Sequence, residues 1–266
     1  MWRGAICAGK MGLKAVPPGR AEPHDVRSLS LTYYDGYHVH PHRHDWAQLV
    51  YARRGLMRVL VGGNIWLVPP TRAIWIPAQT EHEFRVKGEV AFRTLYIAGD
   101  RSRAVERTPG ALEVSPLLAE LILHILSQEM LDPSEPTHDR LAGVLVDLIN
   151  AARSIDLMLP LPSDPRALRL AEHFQSRPDD KADLPKLASK TGASVRTLQR
   201  CFVSETGMTI DAWRQKVRLI ASTTLLSSGS SVTATALSCG YDSASAFIAA
   251  FRRHFSMTPK QYAMMR

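Results

Sequence analysis

From Thr32 to Ala98 the chain alternates apolar and polar residues in short runs punctuated by Gly, Pro and Asn. TYY (32–34), WAQLVYA (46–52), LMRVLV (56–61), IWLV (65–68), AIWI (73–76), EFRV (83–86) and AFRTLYIA (91–98) predict seven strands, with GGN (62–64) as a hairpin turn. So many short strands in sequence suit a sandwich or a small barrel. After a polar connector over 99–114 the period becomes helical. Ser115 caps a stripe of Leu118, Leu121, Ile122, Ile125 and Leu126, and Leu141, Val144, Leu145 and Leu148 form a second helix ending near Arg153. These faces suit packing on their own barrel or pairing with a second subunit equally well. LMLPLPSDP (157–165) reads as a linker whose prolines keep the flanking domains apart.

The last hundred residues repeat themselves at an interval of 48 to 49. Ala188 and Gly192 recur as Ala236 and Gly240; Ser194, Leu198, Phe202, Met208, Thr209 and Trp213 recur as Ser243, Phe247, Phe251, Met257, Thr258 and Tyr262. Each copy reads as a short amphipathic helix, a glycine stop, a serine cap and a second helix with a polar leading edge. That is the helix-turn-helix pattern. Between the copies, Thr209 to Ser228 predicts one helix with the stripe Ile210, Trp213, Val217, Ile220 and Ala221, ended by Gly229. About 20 residues at ~1.5 Å each make a rod of ~30 Å, near the ~34 Å between successive major grooves on one face of DNA.

Charge sharpens this division. The chain of 266 residues carries a net charge of +8. Up to Pro160 there are 18 Lys and Arg against 17 Asp and Glu; beyond it there are 15 against 8. A basic second half beside a neutral first half points to a polyanion partner for the former. Composition at 45% hydrophobic and 22% charged excludes a disordered or collagen-like chain. No apolar run reaches the ~18 residues of a membrane span, and residues 1–28, read as a flexible extension with Met11 as an alternative start, hold no secretory signal. Cys7, Cys201 and Cys239 form neither a CxxC nor an even set, so no disulfide framework or thiolate zinc site is expected and a reducing cytoplasm is the default. Ser-His-Asp, Walker and GxGxxG constellations are absent.

The run SVRTLQRCFVSETGMTIDAWRQKVRL followed by GYDSASAFIAAFRRHFSMTPKQY resembles the AraC/XylS family of bacterial transcription regulators over residues 164–263. The resemblance implies a DNA-binding domain with two helix-turn-helix units, acting at promoter DNA with RNA polymerase, and homodimers paired through the helices of 113–155. Residues Ser194, Arg196, Thr197, Gln199, Arg200, Ser243, Ser245, Arg252 and Arg253 then become the DNA-contacting set. Arg pairs bidentately with guanine and Gln with adenine, so Arg196, Gln199 and Arg200 are the expected base readers. Ala244, Ser245, Ala246, Ile248 and Ala249 leave the second recognition helix with small side chains, which assigns most discrimination to the first unit. Arg252, Arg253 and Lys260 suit phosphate contacts.

Five histidines fall between 38 and 82, and His38, His40, His42 and His44 alternate, so an extended chain would project them from one face, with Pro41 disturbing the regularity. Gly36-x5-His42-x-His44-x3-Gln48-x6-Gly55 resembles the first cupin motif, with Gln where Glu is usual; Pro77-x-Gln79-x2-His82 resembles the core of the second, over a domain at 29–100. The resemblance implies a cupin-like β-barrel and, in metal-binding members, a divalent transition metal held by His42, His44, Gln48 and His82. The alternative is a pocket in which these histidines contact an organic effector, with His40, Trp46, Trp66, Trp75 and Tyr96 lining it. A ligand-responsive regulator is the expected function. A metal-dependent cupin enzyme with a helical accessory domain is the contrasting one, disfavoured by the basic repeat and by Gln48; a DNA-binding protein with a vestigial barrel is the third.

Overall fold

A computed structural model describes residues 24–62, 64–69 and 72–264. The expected flexible extension therefore lies, up to residue 23, outside the described residues, and so does Gly63 of the predicted hairpin turn. In chain order the elements are β1 (Val26–Tyr33), β2 (His38–His42), β3 (Ala47–Val61), β4 (Asn64–Val68), β5 (Arg72–Ile76), β6 (His82–Ile97), α1 (Gly99–Arg103), β7 (Gly110–Glu113), α2 (Pro116–Gln128), β8 (Met130–Leu131), α3 (Pro136–Ala151), β9 (Ser154–Ile155) and β10 (Met158–Pro160). There follow α4 (Pro165–Ser176), α5 (Leu184–Thr191), α6 (Val195–Thr206), α7 (Ile210–Ser227), α8 (Val232–Ser238), α9 (Ala244–Phe255) and α10 (Pro259–Ala263). The layout is an N-terminal β-rich domain and a C-terminal helical one.

Seven predicted strands become fewer and longer ones. WAQLVYA and LMRVLV are one strand, β3, and EFRV and AFRTLYIA are one strand, β6, paired antiparallel along most of their length. The glycine read as a break is a bulge: the register shifts between Ala52 and Leu56 around Gly55, at φ +86°. A Cβ there would lie 2.3 Å from the Glu89 carbonyl oxygen, so only glycine lets the strand bend against its neighbour. All strands belong to one sheet of order β8-β1-β6-β3-β5-β7-β9, with β2 added to β6, β4 to β3 and β10 to β4; among the described residues the path is open rather than a closed ring. One face buries Tyr33, Val50, Met57, Val59, Ile74, Ile76, Phe84 and Phe92. Helices α2 and α3 cover part of the other, with Leu118, Ile122, Ile125, Leu145 and Ile149 against Leu49, Trp75, Leu95 and Ile97. The apolar stripes of both helices are thus spent largely on their own sheet, while Leu117 and Val144 stay exposed.

The expected spacer at 157–165 is not one. Met158–Pro160 pairs with β4, and Leu157 and Leu159 are fully buried in a core that also holds Ile65 and Leu67 of the sheet and Trp213, Val217 and Ile220 of α7. The two leucines flank one residue and point the same way along an extended chain, so they supply the apolar contact that the prolines alone did not suggest. The Trp213 indole donates to the Pro160 carbonyl at 2.8 Å, and Lys216 Nζ lies 2.6 Å from Asp156 Oδ2. Among the described residues no helix is long and apolar enough to cross a membrane.

Candidate effector pocket and nucleic-acid interface

Strands β2 and β6 meet at the pair His42 and His82, and the irregularity that Pro41 was expected to cause falls between Val39 and His42. This shift decides which histidines converge. His42, His44 and His82 place one ring nitrogen each within 4.8 Å of the others. His38 turns instead to Glu83, at 3.0 Å, and His40 is exposed beside it. The expectation that all four alternating histidines share one face is corrected accordingly.

The three convergent rings share one orientation. His42 Nδ1 lies 2.8 Å from the His40 carbonyl, His44 Nδ1 2.6 Å from that of Trp46, and His82 Nδ1 2.8 Å from that of Thr80. A carbonyl only accepts, so each Nδ1 carries the proton and each Nε2 presents a lone pair. Burial lowers the pKa of His82 to about 4, against the Thr80 hydrogen bond and with His42 and His44 adding to the depression; burial lowers His44 too. These two rings are therefore neutral at neutral pH. The Nε2 of His82 is buried with no hydrogen-bond partner. Gln48, 1% exposed, sets its Oε1 3.3 Å from His44 Nε2 while its amide nitrogen donates to Thr94 Oγ1, which donates to the Leu49 carbonyl. Two acceptors thus face one another across that gap. Three imidazole lone pairs with their other nitrogens anchored, plus one amide oxygen, form a donor set that fits a divalent transition metal.

The five residues expected to line an effector pocket do not converge. Tyr96 does reach the cluster, its ring 5.4 Å from that of His44, and burial raises its hydroxyl pKa. Trp46 is buried beside His44, to which its carbonyl is bonded. Trp75 belongs to the opposite face, among Leu118, Ile122 and Leu145, because strand alternation turns Ile74 and Ile76 inward and Trp75 outward. Trp66 lies on the interior side but near the β10 edge, at the rim of both adjoining cores, and His40 is exposed.

In the helical domain each expected cap is made. Ser194 Oγ accepts from the Thr197 amide at 3.1 Å and from or to its hydroxyl at 2.9 Å; Ser243 Oγ accepts from the Ala246 amide at 3.2 Å. These caps set the start of α6 and α9 and tie up both serine hydroxyls locally. Gly192 stops α5 at φ +74° and Gly240 follows α8 at φ +77°. Leu198, Cys201 and Phe202 are buried, which leaves Arg196, Gln199 and Arg200 on the exposed face of α6 with Thr197 half-buried. On α9, Phe247, Ala250 and Phe251 are buried, and Ser245, Arg252 and Arg253 are exposed. The structure thus presents a basic, polar edge on α6 and small side chains on α9.

One residue escaped sequence reasoning. Arg72, 2% exposed, opens the apolar strand RAIWI; its guanidinium lies 5.0 Å over the Tyr262 ring and 3.4 Å from Glu113. It joins the sheet to the last helix of the helical domain. The only sequence signal was a charge at the head of an otherwise apolar strand.

A sheet with a convergent donor cluster, joined to a basic helical domain with an exposed Arg and Gln edge, defines a ligand-binding regulator of DNA rather than an enzyme scaffold. Comparison with known proteins agrees. Residues 28–157 match the model of the AraC-like ligand binding domain and residues 187–265 that of a helix-turn-helix domain. The HTH-type transcriptional regulator NimR of Escherichia coli is 33% identical over 83% of this chain and 81% of its own length. RipA of Corynebacterium glutamicum, also an HTH-type transcriptional regulator, is 26% identical over 81% of this chain and 61% of its own length. A crystal structure of ToxT from Vibrio cholerae aligns over 90% of this chain and 94% of that one at 12% identity, with a TM-score of 0.38. The chain belongs to the AraC family of transcriptional regulators, and the enzyme reading falls with that assignment.

Proposed function

We propose that this regulator binds promoter DNA in the cytoplasm as a homodimer through two helix-turn-helix units, α5 with α6 and α8 with α9, and passes the occupancy of its cupin-like sensor to RNA polymerase. The observation that carries the DNA reading is the pair of serine-capped helices on either side of α7. That spacer has 18 residues, or ~27 Å at ~1.5 Å per residue. Helices so spaced suit successive major grooves, with Arg196, Gln199 and Arg200 reading bases and Arg252 and Arg253 meeting phosphates. Fluorescence anisotropy with DNA from upstream of the chain's own gene tests it across a salt series. Affinity should fall linearly in log–log form with a slope set by the phosphates engaged, and the double substitution of Arg196 and Arg200 by Ala should erase preference over scrambled DNA. Equal binding to both sequences by the unsubstituted protein would defeat the reading.

The shared Nδ1-anchored orientation favours a metal as the sensed species or its partner. His42, His44 and His82 would hold the ion through Nε2 with Gln48 as a weak fourth donor, and the ion would supply a Lewis-acidic anchor for an effector group. Elemental analysis of untagged protein prepared without chelator should then give near one equivalent of Zn, Fe, Ni or Cu, lost in H42A. Metal-free protein that still binds promoter DNA, with affinity moved by a small molecule, would leave an organic effector in the same pocket; no shift by either would leave a sensor domain without a sensing role.

A further inference from the structure

Away from the histidine cluster, the outer face of the sheet carries a cleft of about 550 Å³, lined by Tyr37, His38, Arg58, Arg85, Val86 and Ser176 among others. Its floor is a transverse row. His38 of β2 stands opposite Arg85 of β6, which stands opposite Arg58 of β3. Like charges directly opposed on neighbouring strands are destabilising, so this row asks for counter-charge. Glu83 supplies part of it: one oxygen lies 3.0 Å from His38 Nε2 and the other 3.0 Å from Arg85 Nε, an ion pair without hydrogen-bond alignment. Asp35, at the rim, has an oxygen taken by the Gly88 amide at 2.7 Å.

Arg58 is left over. Half-buried, it makes no hydrogen bond or ion pair among the described residues; its neighbours in charge are Arg85 and, on α4, Glu172. A guanidinium offers five donors in a planar fork suited to two-point capture of an oxyanion. Tyr37, its ring stacked on Tyr33 at 4.3 Å, and Val86 also line the cleft where it meets the sheet's inner core. The other boundary comes from Ser176, the last residue of the first helix of the DNA-binding half. The cleft volume falls in the range of small-molecule sites.

We propose that this cleft binds a small organic oxyanion, a carboxylate or phosphate on an apolar body, gripped by Arg58 with Arg85 and touching both halves of the chain. Such a ligand would change how the sheet docks on α4. That regulatory consequence rests on the effector-responsive reading given above; the binding itself does not.

Isothermal titration calorimetry of the full chain at constant ionic strength tests it with phenylacetate, its uncharged counterpart phenylacetamide, and inorganic phosphate. Saturable binding of phenylacetate, of phosphate, or of both is expected, the response identifying which oxyanion is preferred. Binding of phenylacetamide should be at least about tenfold weaker than that of phenylacetate, and R58Q should weaken the anion about tenfold, as loss of a charged hydrogen-bond partner does. R85Q, at a more exposed arginine, should weaken it several-fold, and H82A should leave it unchanged. Equal affinity for acid and amide, wild-type affinity in both R58Q and R85Q, or no saturable heat from either anion would overturn the site. An anion bound through Arg58 that leaves DNA affinity unmoved would keep the site and refute the effector reading instead.

Discussion

Arg72 offers the sharpest test of how the two halves communicate. Its guanidinium lies 5.0 Å over Tyr262 with 2% of the residue exposed, so the contact is of the desolvated kind, worth ~2 kcal/mol rather than the ~0.5–1 kcal/mol of an exposed pair. The single substitution R72M keeps volume but also leaves Glu113 without its cation. Glu113 retains 20% side-chain exposure, so water takes over part of that role and the loss falls short of the ~3–5 kcal/mol of a fully buried broken pair. Y262L removes ring contacts to Phe251 and Phe255 besides the cation. Neither single value isolates the interaction, but a double-mutant cycle does, because the Glu113 and Phe contributions cancel. The expected coupling between R72M and Y262L is ~1–2 kcal/mol. Urea unfolding followed by tryptophan fluorescence and by calorimetry reads it, as a departure from additivity of about 2–8 °C in Tm for a chain of this size. A coupling below ~0.3 kcal/mol, the level at which independent sites add, would refute the argument and leave the docking of the halves to the apolar core around Leu157 and Leu159 with the Trp213–Pro160 and Lys216–Asp156 contacts.

Other consequences are as direct. Substituting Arg200 by Ala should relax selectivity at one base position at ~1–3 kcal/mol, whereas Arg252 to Ala should weaken matched and scrambled DNA alike and reduce the salt slope by about one; equal losses for R200A on both DNAs would contradict base reading. G55A should cost about 2–4 kcal/mol, combining positive-φ strain with a backbone clash, and a thermal melt within a degree of wild type would show that the bulge relaxes freely. Burial, then the Lys216 cation, holds the His254 imidazole below its ordinary pKa of 6.5. The folded chain therefore keeps it neutral while the unfolded chain protonates, so its stability contribution is complete above about pH 6.5 and drains as the pH falls below it. H254Q should flatten the acid limb of stability against pH, measured by urea midpoints in chelator-treated protein; an unchanged limb would remove His254 from the account.

What the sequence made legible follows from how local each cause was. Ser194, Ser243, Gly192 and Gly240 act on neighbours within a few residues, through caps and left-handed stops, and each stands where its spacing put it. The histidine site was half legible for the same reason: His42, His44 and Gln48 lie on one short stretch, but His82 joins them only because β6 pairs with β2 at that point, and His38 and His40 leave because the register slips at Pro41. Glycine misled in the sheet, since Gly55 as a bulge and Gly55 as a strand end look alike until the partner strand is known. Prolines misled at 157–165, where the informative residues were Leu157 and Leu159 just ahead of them, whose partners on α7 lie more than fifty residues away. The aromatic set failed on parity: Trp75 is one residue from Ile74 and Ile76, and a single step along a strand moves a side chain to the opposite face. Arg58 and Arg72 were silent because a charge on a strand reads as solvent-facing until another domain is laid over it. The residues that join the sensor to the reader are therefore the ones that pattern reasoning is least equipped to find, and substitutions at these arginines are where signalling should separate from DNA binding.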